Sequence, residues 1–148
     1  MKTLIVILII LSFIQSSILP IDLVLIILIC RSYIRADKAN LFLAFGFGLF
    51  NAHLNLSFMG LHSLIYLILV AITESLSKSR LSGNSFLIMP LSLFLLFINQ
   101  TAVSFFIHQS VQLSLRIFVE AFLSLPTLYL VRFWEERFIV HKGIKLRL

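Results

Sequence analysis

Arg116 and Glu120 lie four residues apart within an apolar stretch. That spacing puts both on one face of a helix, where guanidinium and carboxylate can pair. Ionisable groups at membrane depth cost a few kcal/mol each on insertion scales, so each one asks for a reason. Such a pair either neutralises itself near an interface and sets helix orientation, or it meets a partner helix or a polar ligand. Asn51, His53 and Asn55 recur at every second residue, a spacing that cannot hold all three on one helical face. Part of that stretch therefore reads as loop, and His53 as a solvated imidazole rather than a proton relay. Asn99-Gln100-Thr101 interrupts another apolar run and offers hydrogen bonds to neighbouring helices. Asp22, two residues after Pro20, reads as the cap of the helix that follows. Glu135-Glu136 sits among basic residues and reads as a solvated face.

No catalytic constellation emerges from these residues. The chain has no HExxH, no P-loop, no Ser/His/Asp set on one side and no paired carboxylates. Its single cysteine, Cys30, rules out an intramolecular disulfide, and there is no CxxC or Cys/His metal cluster. The expectation is a protein that is not an enzyme, with no cofactor, no metal and no small-molecule substrate.

The elements that must position these groups are apolar helices. Of the 148 residues, 60% are hydrophobic and 12% charged, against roughly 45–50% and about 25% in soluble domains. A net charge of +6 would suggest nucleic acid in a polar protein. In this one it reads as a membrane topology signal, and no nucleic-acid partner is expected. No period-2 alternation appears, so α-helices remain. Spans are read at 3–19, 21–35, 40–55, 58–76, 86–107 and 111–133, with Ser82-Gly83-Asn84-Ser85 as the clearest loop. Residues 134–148, with Trp134, read as a basic tail lying on an anionic leaflet.

Six spans place eleven of the twelve basic residues on one side: Lys2, the Arg31–Lys38 cluster, Lys78 and Arg80, and Arg132 through Arg147. The opposite loops, around Pro20, Asn55 and His108, contain none. This asymmetry implies that both termini are cytoplasmic. A cleaved signal peptide over 1–17 would leave five spans and break the pattern. The second run is short enough to suggest a re-entrant segment, but Arg31 and Arg35 can snorkel at its end, so it is kept as a span.

Gly46 and Gly48, with Ala44, allow close helix approach, although the two glycines are not in GxxxG spacing. With Gly60, Leu61 and His62 they are the candidate partner interface. Asn51, His53, Asn99, Arg116 and Glu120 are the candidate intramembrane polar groups.

The string from Gln15 through Pro20 and Asp22 to Leu23 is similar, with one residue fewer between Pro and Asp, to the Q-x-x-x-x-P-x-x-D-L joining the first two helices of the rod shape-determining protein MreD family. Phe47-Gly48-Leu49-Phe50 and Gly60-Leu61-His62-Ser63-Leu64 resemble that family's third helix and the opening of its fourth. One departure is Asn51-Ala52-His53-Leu54-Asn55, where the family carries an acidic residue. The resemblance implies an all-α integral membrane protein, a six-helix bundle with a fold like the S components of energy-coupling-factor transporters. It also implies a non-enzymatic subunit of the bacterial cell-elongation complex in the cytoplasmic membrane. That subunit would bind an MreC-like scaffold and help couple MreB filaments to the elongation synthases. The competing reading is a vitamin-binding S subunit of such a transporter, with the intramembrane polar residues lining its pocket.

Overall fold

The structure, a computed structural model, describes residues 2–18, 21–78, 84–107 and 115–138. Six α-helices follow one another: α1 (Lys2–Ser17), α2 (Leu23–Ile34), α3 (Lys38–Leu54), α4 (Met59–Lys78), α5 (Ile88–Ile107) and α6 (Leu115–Phe138). A 3-10 turn, Ser85–Leu87, precedes α5. No strand occurs among the described residues. Among the described residues, three segments are long and apolar enough to cross a membrane: Gly60–Lys78, Ser85–Phe106 and Leu115–Arg137. The outer surface is correspondingly apolar, with Phe42, Phe105, Leu115, Leu130 and Phe133 all exposed. This is a membrane-embedded helical protein.

α2 is the axis of the bundle. Its 12 residues rise only about 18 Å, too short for a lipid-facing span on its own. It packs instead against every other helix, most closely α6 and α4. Nine of its residues, from Val24 to Tyr33, are buried. A helix sheathed by protein on all sides does not need to match the bilayer, provided its ends find polar partners within the bundle. Arg31 and Tyr33 at its carboxyl end meet that condition. Arg31 Nε lies 3.4 Å from Glu135 of α6, and the Tyr33 hydroxyl donates to the Asn84 carbonyl.

Gly48 is not available to a partner, because α3 and α4 of the same chain cross there. A Cβ on Gly48 would lie 2.5 Å from the Ser63 Cα. Ala44, Gly48 and Ala52 are spaced by four and all buried, a small-xxx-small stripe that lets two backbones touch. Gly46 and Gly60 face open space, and Leu61 packs against the core. The turn after α3 is a Schellman closure, with Ser57 N donating to Ala52 O and Leu56 N to His53 O. Its left-handed position, which usually carries glycine, is held by Leu56 at φ 51°.

α6 extends to Phe138, so residues 134–138 of the expected tail are helix. Its last turns are tied to the bundle through Glu135, which is buried. The solvated-face reading therefore holds only for Glu136, which is 68% exposed beside Arg132. Residues 139–148, with Lys142, Lys145 and Arg147, lie outside the described residues, as do Pro20, Arg80 and His108.

Candidate functional site: a polar cluster at one end of the bundle

Five buried or half-buried polar side chains meet where α1 ends, α2 begins, α5 ends and α6 begins. Gln15, on the last turn of α1, donates through Nε2 to Asp22 Oδ1 at 2.9 Å and accepts at Oε1 from the Val24 amide. One side chain thus closes the α1–α2 joint and satisfies an orphan N–H of the α2 first turn. Asp22 is the residue before α2, but its side chain makes no cap bond. Its carboxylate faces the cluster instead, accepting from Gln15 and, at 3.3 Å, from Asn99 Nδ2 of α5. The capping reading of Asp22 is corrected by this geometry: the capping work falls to Gln15.

Arg116 and Glu120 on α6 pair at 2.8 Å. The same guanidinium lies 3.9 Å from Asp22 Oδ2, and Glu120 Oε1 also accepts from the Asp22 backbone N–H at 3.3 Å. Two carboxylates 98 residues apart in sequence therefore share one arginine. This pairing of carboxylates, absent from the sequence expectation, joins two segments, and spacing along one helix carries no information about contacts between helices.

Asp22 and Arg116 line a cavity of about 310 Å³ together with Gln15, Asn55, His62, Asn99, Gln100 and Val103. His62, read from sequence as an interface residue, lies on its rim and contacts Ser57 Oγ through Nδ1 at 3.4 Å. Asn51 is buried deeper and donates to the Tyr66 hydroxyl at 3.0 Å. His53 is exposed and stands apart from the cluster. Of the five polar residues singled out from sequence, Asn99, Arg116 and Glu120 come together here, Asn51 bonds elsewhere, and His53 joins neither group. In the sequence Gln100 enters only as part of the Asn99-Gln100-Thr101 break and Gln15 only as the start of the string that ends at Leu23, and neither spacing points to this cluster.

The opposite end of the bundle holds a second set of ties. Asn40 of α3 donates to Glu74 Oε1 of α4 and to the Arg35 carbonyl, and Ser77 donates to the Tyr33 carbonyl. Between the two ends, Cys30 is buried and donates weakly to the Ser124 carbonyl, while Ser92 of α5 donates to Ser124 Oγ of α6. No group of three or more metal-ligating side chains occurs among the described residues. The chain matches no protein-family model, no curated protein and no solved structure.

Proposed function

We propose that this chain is a non-enzymatic subunit of the bacterial cell-elongation complex, of the MreD kind. It crosses the cytoplasmic membrane six times with both termini inside, and it binds a single-span MreC-like scaffold that links MreB filaments to the elongation synthases. The observation that carries the reading is the joint between α1 and α2. The residues on which the resemblance rests, Gln15 and Asp22, are bonded to each other and to the first turn of the central helix. A motif with that structural task explains why a family would share it. The charge distribution supports the orientation. Arg31–Glu135, Asn40–Glu74 and Ser77–Tyr33 gather the ends of α2, α4 and α6 and the start of α3 at one end. The basic residues of those segments belong on the cytoplasmic side.

The second reading, a solute-binding transporter subunit, draws on the polar cavity. The two readings differ in what the protein holds on to. Mild-detergent purification of the tagged protein, followed by mass spectrometry, should recover a coiled-coil single-span scaffold and cell-wall synthases. Recovery of a pair of nucleotide-binding ATPases instead would overturn the elongation reading in favour of the transporter.

A further inference from the structure

We infer that the cavity at the Asp22–Arg116 end of the bundle binds a primary ammonium group. This inference is independent of which partner chains the protein has. The first argument is charge. Asp22 and Glu120 contribute two carboxylates and Arg116 one guanidinium, so the ionised cluster carries one net negative charge. Among the described residues, Arg116 is the one Lys or Arg that lines the cavity, and Arg31, Arg35, Lys38, Lys78, Arg132 and Arg137 lie on segments tied to the opposite end. An uncompensated charge in an apolar surrounding is costly, and a cation placed beside it removes that cost. An anion drawn to Arg116 would meet both carboxylates.

The second argument is the lining. The cavity of about 310 Å³ is at the small end of ligand sites. Asp22 faces it with its side chain 25% exposed, and the amides of Asn55, Asn99 and Gln100 surround it. Asn99 is nine-tenths buried, and its Nδ2 is committed to Asp22 while its Oδ1 is without a partner. A carboxylate with several amide carbonyls is an acceptor set suited to the three N–H donors of a primary ammonium. A quaternary ammonium has no such donors and is recognised by the faces of Trp, Tyr or Phe, none of which lines this cavity among the described residues.

An ammonium of this kind comes either from a membrane lipid headgroup or from a soluble amine, and the two sources separate experimentally. The full chain is reconstituted in phosphatidylcholine nanodiscs and titrated with ethanolamine, glycerophosphoethanolamine and their choline counterparts, with thermal unfolding as the readout. In parallel, native mass spectrometry counts the phosphatidylethanolamine retained from mixed-lipid nanodiscs. The expected result is stabilisation by the ethanolamine compounds, or selective retention of phosphatidylethanolamine, with no response to choline. Action of the soluble compounds identifies a free amine as ligand, and retention of the lipid alone identifies a headgroup. Asp22→Asn keeps the side-chain shape and should weaken binding about tenfold by removing one charge-assisted bond. Equal response to choline, no response to any primary amine, or unchanged binding by a folded Asp22→Asn protein would each overturn the inference. Should that variant fail to fold, the ethanolamine-against-choline comparison on the wild-type protein still decides.

Discussion

Removing the Glu135 carboxylate leaves the Arg31 guanidinium, whose side chain is 2% exposed, without the anion 3.4 Å away. Breaking a buried pair from one side costs about 3–5 kcal/mol. Glu135→Ala should therefore sharply lower the resistance of the protein to SDS-induced unfolding in mixed micelles. Glu136→Ala, one residue on, breaks an exposed pair with Arg132 and should change stability by less than about 0.5 kcal/mol. Equal effects at the two positions would show that Glu135 is not buried on α2. The two glutamates look alike in a basic segment, and composition assigns both to solvent. What separates them is the helical phase of α6 relative to α2, a tertiary quantity. The Arg116–Glu120 contact is a different case, because i,i+4 spacing on one helix sufficed to bring those two groups together. Asp22, the third member of that cluster, comes from another helix pair and had no such local signal.

At the level of elements, the α3–α4 crossing makes two opposite predictions for neighbouring glycines. Gly48→Ala drives a methyl into the Ser63 backbone, and backbone gives little. A loss of about 1–3 kcal/mol is expected. Gly46→Ala meets nothing within 4 Å and should leave stability unchanged or raise it by up to about 1 kcal/mol through helix propensity. Any loss of complex recovery in a Gly48 variant then reports a misfolded α3–α4 pair rather than a lost partner contact. The turn after α3 offers a gain. Leu56 holds a left-handed conformation and is 94% exposed, so Leu56→Gly should stabilise the protein by about 1 kcal/mol. The same SDS titration checks all three variants. The small-residue stripe was present in the sequence as Ala44, Gly48 and Ala52. Of its members Ala44 and Gly48 were legible as small residues that permit close approach, while Gly46, two residues from Gly48, lies on a different face of α3.

For the whole molecule, the proposed six-span arrangement predicts which ends of the helices meet which side of the membrane. In a Cys30→Ala background, cysteine at Leu56 in the α3–α4 turn should react with a membrane-impermeant maleimide on intact cells. Cysteine at Lys78, the exposed end of α4, should react only after permeabilisation. Labelling of both positions from one side would remove the α4 crossing and, with it, the six-span topology.

The amino-acid sequence by itself determined that this is a helical membrane protein, because apolar content and the absence of alternating polarity leave backbone hydrogen bonds no other outlet. It also determined most of the breaks between helices, since the Asn55-Leu56-Ser57 stretch and the charge clusters after α2 and α4 end apolar runs, whereas Pro126 and Asn99 lie inside α6 and α5. The tertiary structure alone decided that the shortest helix, α2, is the central one, and that Gln15, Asp22, Asn99, Arg116 and Glu120 form one cluster around a cavity. Both outcomes depend on helix phase and neighbour identity. In a chain this apolar, a face turned to lipid and a face turned to another helix consist of the same residues, so hydropathy does not tell them apart.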